Sequence, residues 1–209
     1  GTNWTEVNNL NTQRDAMGAS QQAPSTAALV FGGSQVGTPK NETELWNGTN
    51  WTEVNDLNTA RQQFASAGTQ TAALAFGGEP VTANTELWNG TNWTEQNNLP
   101  TALSDMAGCG TTSNALSYGG TPPNTAVTNE WTGAGAAVGA WATGNVMNLG
   151  RRTLAGAGIQ TAALAFGGDD DSGPTRVGNT ESYNGTNWTE VNDLTTARSR
   201  LAGAGTYTA

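Results

Sequence analysis

One fifteen-residue phrase returns almost unchanged along this chain. It reads TELWNGTNWTEVNDL at 43–57, TELWNGTNWTEQNNL at 85–99 and TESYNGTNWTEVNDL at 180–194, and the chain opens on GTNWTEVNNL. The Trp of its NW pair falls at Trp4, Trp51, Trp93 and Trp188, with Trp141 in a divergent copy, at spacings of 47, 42, 48 and 47. A second marker, an aromatic residue followed by Gly-Gly, closes at Gly33, Gly78, Gly120 and Gly168, at spacings of 45, 42 and 48. Two independent markers share a period near 46. Such a unit is too long for a leucine-rich repeat and has no helical periodicity. Its length suits a four-stranded blade, the unit of a β-propeller.

A single unit divides into strands. FASAGTQ (64–70), rich in small residues, is the first, and TAALAFGG (71–78) is a continuous apolar run of the kind expected when both faces are covered. Gly77 and Gly78 end that strand and let the chain turn without a Cβ clash. EPVTAN is a loop, TELW (85–88) the third strand and NWTEQNNL (92–99) the fourth and outermost. The Asn-Gly between the last two is a strong hairpin signal. A two-residue turn at Asn89–Gly90 would pair Trp88 with Thr91, whereas a four-residue loop would set Trp88 opposite Trp93. The sequence leaves both registers open.

Composition agrees with short strands. Only 35% of the residues are hydrophobic and 28 are Gly, a poor basis for amphipathic helices. Disorder is the competing reading of such a chain, but eight Trp at regular places supply large buried area. The formal charge of −9 argues against nucleic acid or an anionic membrane as partner, since both require a basic face. No run of 18 apolar residues predicts a membrane span, and there is no signal-peptide pattern.

The complete order is an apolar strand, Gly-Gly, an aromatic eight to fifteen residues on, Trp five further, then Leu and Arg. It resembles the kelch repeat, on Gly77, Gly78, Trp88 (where kelch usually has Tyr) and Trp93 in the best copy. The matching Gly pairs are Gly32–Gly33, Gly119–Gly120 and Gly167–Gly168, and the Arg that starts each kelch blade is matched by Arg14, Arg61, Arg152 and Arg198, with Leu103 in the departing copy. The resemblance implies an all-β propeller of four-stranded antiparallel blades, and the Arg residues are expected to anchor backbone carbonyls between blades. More narrowly, NGTNWTEVNDLNTAR and AGTQTAALAFGG look like the near-identical kelch-like repeats of marine bacteriophage proteins. That likeness implies a virion or tail-associated, extracellular setting.

Residues 1–209 are read as one propeller, with whole blades at about 14–57, 61–99, 103–149 and 152–194. A split fifth blade would take a fourth strand from 1–10 and a first strand from 198–209. A ring closed at five would then have a defective blade. The expectation is therefore a segment of a longer array, of six or seven blades, or one completed by a second chain.

Chemistry is sparse. Copper oxidases built on this fold use His and Tyr ligands, and this chain has no His. Cys109 has neither a His partner nor a nearby basic residue, and is expected to be a small buried side chain. Glu44/Glu53, Glu86/Glu95 and Glu181/Glu190 form one carboxylate pair per blade, expected to be solvated on the outer strands. Asp169-Asp170-Asp171 could offer oxygen ligands to Ca²⁺, but lacks the EF-hand spacing and is expected to be a solvated loop tip. No enzyme activity, cofactor or metal is expected.

Function is expected where the copies differ. The loops after Gly-Gly vary: SQVGTPKNE (34–42), EPVTAN (79–84), TPPNTAVT (121–128) and DDDSGPTRVGN (169–179). Loops held on a rigid scaffold carry binding residues. The candidates are Ser34, Gln35, Lys40, Glu79, Thr82, Asn124, Asp169, Asp170, Asp171 and Arg176. The expected role is recognition of a protein or a cell-surface glycan. The alternative is a structural virion component that packs only against neighbouring subunits.

Overall fold

The structure, a computed structural model, describes residues 5–133, 138–170 and 175–207. Trp4 and Asp171 lie outside the described residues. Eighteen strands run in chain order. Blade one contains β1 (Gly18–Ala19), β2 (Ala28–Phe31), a small inserted hairpin of β3 (Ser34–Gln35) and β4 (Thr38–Pro39), then β5 (Thr43–Trp46) and β6 (Trp51–Val54). Blade two contains β7 (Ala65–Thr69), β8 (Ala72–Phe76), β9 (Thr85–Trp88) and β10 (Trp93–Glu95). Blade three contains β11 (Ala107–Gly110), β12 (Asn114–Tyr118), β13 (Thr128–Thr132) and β14 (Ala140–Thr143). Blade four contains β15 (Ala155–Ile159), β16 (Ala162–Phe166), β17 (Thr180–Tyr183) and β18 (Trp188–Val191). Each blade is an antiparallel meander in sequence order, and among the described residues there is no helix. The protein is an all-β propeller.

The hairpin register is the four-residue one. Trp46 faces Trp51, Trp88 faces Trp93 and Tyr183 faces Trp188, and the longer connection of blade three sets Trp131 opposite Trp141 in the same way. In the NGTN turn the Asn89 side-chain oxygen accepts the backbone N–H groups of Thr91 and Asn92, both at 2.9 Å, while Gly90 takes φ 94°. This Asx-turn bonding outweighs the two-residue turn because it also brings two rings together, 5.5 Å apart for Trp88 and Trp93.

The core consists of three slabs between consecutive blades. Leu29 and Phe31 of blade one pack on Ala73, Ala75, Trp88 and Trp93 of blade two, and the pattern repeats across the next two interfaces. The fourth-strand Trp is the latch. Trp93 stacks 4.7 Å from Phe31 and donates its indole N–H to Thr43 Oγ1 at 3.1 Å. Trp141 does the same with Phe76 and Thr85, and Trp188 with Tyr118 and Thr128. Among the described residues the Trp51 ring meets Trp46 and donates to the Asn8 carbonyl, and it stays half-buried.

Small residues let the innermost strands approach. A Cβ on Gly156 would overlap the Tyr118 hydroxyl, which reaches across to the Leu164 carbonyl at 3.1 Å. At the end of β8, Gly77 and Gly78 take φ 67° and 118°, and a side chain there would strike the Leu103 and Gln62 carbonyls.

Two expectations need correction. The Arg that enters blade four's core is Arg151, not Arg152: Arg151 is fully buried and Arg152 is exposed. Only the first of the two adjacent arginines has its side chain directed at Glu181, with Nη1 2.6 Å from Oε1. The terminal segments also form no strands among the described residues. Each docks instead on its neighbour by the bonds that join consecutive blades: Asn8 to Asn50 and Asn11 to Glu44 at one end, and the Gly168 N–H to the Arg198 carbonyl at the other. A first or fourth strand forms a ladder only against the inner pair of its own blade, and neither segment has that pair beside it.

Candidate ligand-binding mouth of the central channel

Alternating strand direction puts all the loops after Gly-Gly at one end of the blades, beside the segments that enter the first strands. The NGTN turns lie at the other end. Paired backbone bonds lock the two sets together at the first end: Asp15 with Ser34, Gln62 with Glu79, Ser104 with Thr121, and Arg152 with Asp169. The first residue of each variable loop is thus tied to the residue after the blade-starting Arg or Leu.

One step further on, the chain forms a repeated link around the channel axis. Gln63 N–H bonds the Ala16 carbonyl at 3.1 Å, Asp105 N–H the Gln63 carbonyl, Thr153 N–H that of Asp105, and Arg200 N–H that of Thr153, the last three at 2.8 Å. All five residues are left-handed, with φ between 48° and 57°. Left-handed backbone at a residue with a side chain costs about 1–3 kcal/mol and concentrates at ligand clamps. The four backbone hydrogen bonds of the link work against that cost, and the link places five side chains on one rim.

That rim crowns a cavity of about 370 Å³. Its floor is one apolar residue per unit: Met17, Phe64, Met106, Leu154 and Leu201. The rim itself is unlike in every unit, with Ala16, Gln63, Asp105, Thr153 and Arg200. Gln63 Nε2 donates to Asp105 Oδ1 at 2.8 Å. Burial pushes the Asp105 carboxyl above its usual range; the Gln63 bond and the Arg152 and Arg200 guanidinium groups oppose that, and Glu79 adds to it. Arg200 also belongs to a second cavity of about 350 Å³, lined by Arg152, Asp169, Arg176 and Ser199 as well.

The expected loop residues separate. Asp169 and Arg176 line the second cavity. Thr153 Oγ1 donates to Asp169 Oδ2 at 2.8 Å, Asn124 Nδ2 lies 3.5 Å from the Asp169 carbonyl, and Asp170 N–H bonds the Thr175 carbonyl. Ser34 is buried, its hydroxyl taken by Gly37 N–H. Gln35 is exposed on β3, and Lys40 pairs with Glu42 at 3.4 Å. Glu79 and Thr82 use their backbone to hold Gln62, Gly78 and Leu103. The rim residues beyond this set had a signal in the sequence. The two positions after the blade-starting residue read Asp15-Ala16, Gln62-Gln63, Ser104-Asp105, Arg152-Thr153 and Ser199-Arg200, the second different in every copy.

The carboxylate pairs are not solvated as expected. Glu44, Glu86 and Glu181 are buried and ion-paired to Arg14, Arg61 and Arg151. Their strand partners Glu53, Glu95 and Glu190 are exposed. Arg61 joins the blades only by its backbone, as Leu103 does: its N–H and carbonyl bond Lys40 and Gly33 of blade one. Its side chain serves blade two, donating to the Gly77 and Asn84 carbonyls and to Glu86. Arg198 makes the same backbone bonds to Val177 and Gly168 but is exposed. Blade three has exchanged the whole cluster: Pro100 stands for Asn58, Leu103 for Arg61 and Asn129 for Glu86. A carboxylate clamped by a guanidinium inside a blade is a fastener. The Cys109 thiol, pushed up to about 12 by burial, is a poor nucleophile.

No protein-family model matches this chain, and no curated protein sequence matches it. Solved structures do resemble it. The structure of YjhT superposes with a TM-score of 0.72 over 90% of this chain and 73% of that one, at 10% identity. The likeness establishes the fold, a β-propeller, and nothing about the ligand.

Proposed function

We propose that this chain is a non-enzymatic binding module, part of a virion or tail-associated protein, that recognises a host-surface glycan or protein at its channel mouth. The observation that carries the proposal is the rim: five equivalent backbone positions, held alike, bear five different side chains around one cavity. A scaffold maintained only for assembly has no need of unlike residues there, whereas recognition of an asymmetric ligand does. The phage setting rests on the likeness of the repeats alone.

The test is binding to a glycan array and to candidate host cells. Gln63→Ala and Asp105→Asn are expected to abolish binding without lowering the melting temperature. Asn47→Ala, in an NGTN turn at the opposite end, is expected to leave it intact. A chain that binds no glycan and no cell, yet associates with virion subunits, is a structural component instead. Loss of binding on Asn47→Ala alone would place recognition at the opposite end.

A further inference from the structure

From the second cavity we infer an oxyanion subsite, which fits the module for an acidic saccharide and rests on the proposed binding role. The chain carries only eight Lys and Arg against seventeen Asp and Glu. Arg14, Arg61 and Arg151 are consumed in buried ion pairs and Lys40 in a surface pair. Of the four cationic side chains that remain, Arg152, Arg176 and Arg200 line a single cavity. Among the described residues, none of these three guanidinium groups makes an ion pair or a side-chain hydrogen bond. All three are exposed.

Three like charges converge in a molecule of net charge −9; outside the lining, Arg152 and Arg200 also act on the Asp105 carboxyl, which already holds the Gln63 amide. The one carboxylate in the lining, Asp169, already accepts a bond from Thr153 Oγ1. The arrangement also has backbone support. Asp169 is bridged by its main chain to both Arg152 and Arg176, which brings those side chains in from two directions, and Arg200 N–H is held by Thr153. Converging guanidinium groups of this kind match the oxygens of a carboxylate, sulfate or phosphate. The body of the ligand follows from the neighbouring cavity, which shares Arg200. There Gln63, Asp105 and Thr153 offer polar groups for hydroxyls above an apolar floor that includes Phe64. An anionic group at the arginines with a hydroxylated ring over Phe64 is the chemistry of an acidic sugar.

The probes are a galacturonate trisaccharide, its methyl ester, a sulfated disaccharide and inorganic phosphate, titrated calorimetrically. The acid is expected to bind about tenfold or more tightly than the ester, and the more weakly as salt is raised. Arg152→Gln, Arg176→Gln and Arg200→Gln should each weaken the acid about tenfold with an unchanged melting temperature. Arg198→Gln, outside the cavity, should have no effect. Preference for the sulfated sugar identifies sulfate as the source of the oxyanion. Phosphate binding as tightly as either sugar would overturn the saccharide assignment. Equal binding of acid and ester, an equal effect of Arg198→Gln, or no binding of any anion at millimolar concentration would overturn the subsite. If array or cell binding is lost on Gln63→Ala but survives all three arginine changes, the module stands and this subsite falls. Arginine-dependent binding of the probes without any glycan or cell binding gives the converse.

Discussion

Blade three exchanges Arg and Glu together, so the same molecule contains both a buried ion pair and its neutral replacement. This makes the pair in blade two a direct test of what buried charge does here. Arg61 and Glu86 are both fully buried. Glu86 Oε2 accepts the Asn58 backbone N–H at 2.7 Å and its side-chain amide at 2.9 Å, and Oε1 accepts the Arg61 guanidinium at 2.5 Å. Glu86→Asn leaves the guanidinium with backbone carbonyls alone, those of Thr59, Gly77 and Asn84. Arg61→Leu leaves the carboxylate with Asn58 and Thr59. Each single change strands a buried charge and should cost about 3–5 kcal/mol. The double change Arg61→Leu/Glu86→Asn buries no charge and reproduces Leu103 and Asn129. Both polar atoms of Asn129 lack a hydrogen-bond partner, so the remaining cost is that of an unsatisfied amide, about 1–3 kcal/mol.

For a chain of this size 1 kcal/mol shifts the melting temperature by about 2–4 °C. Each single variant should therefore lose roughly 6–20 °C and the double variant roughly 2–12 °C, the less damaged of the three. Thermal unfolding followed by tryptophan fluorescence reads this directly. A double variant that loses the sum of the two single losses would refute the reasoning, because it would mean the two groups act independently. The reciprocal change Asn129→Leu should raise the melting temperature of the parent.

Two other outcomes follow from the geometry. Trp93→Ala removes a ring shared by two blades and orphans the Thr43 contact, and should cost about 3–5 kcal/mol. Trp51→Ala, whose ring meets its own blade and Asn8 among the described residues, should cost less; normal stability with lost binding in either variant would show that these rings serve a ligand. The raised carboxyl of Asp105 means that its charged form opposes folding, so its contribution is favourable at low pH and is lost as pH rises through the raised value. Asp105→Asn should therefore raise the melting temperature at pH 7, and the difference should vanish below the usual carboxylate range. An equal difference at both pH values would contradict this.

The blade and its period were legible in the sequence because repetition aligns the chain with itself. TELW and AALAFGG fall on β9 and β8, and the strand pattern needs only local alternation and Gly-Gly turns. The rim was also written there, in a position that differs in every copy, but its meaning depends on five separated segments meeting around one axis. The repeat register did distinguish Arg151 from Arg152, since Arg151 follows Met147 at the spacing by which Arg61 follows Leu57 and Arg14 follows Leu10, but only the structure showed that this residue meets Glu181. Local pattern could not show that Glu86 is buried while Glu95 is exposed, for the two occupy similar strand contexts and differ only in which lies beside Arg61. Sequence by itself determined the repeated unit, because a strand and a tight turn are specified by neighbours along the chain. Tertiary structure alone decided which charges are fastened inside blades and which converge at the mouth, because burial and electrostatics depend on distances between residues some forty positions apart.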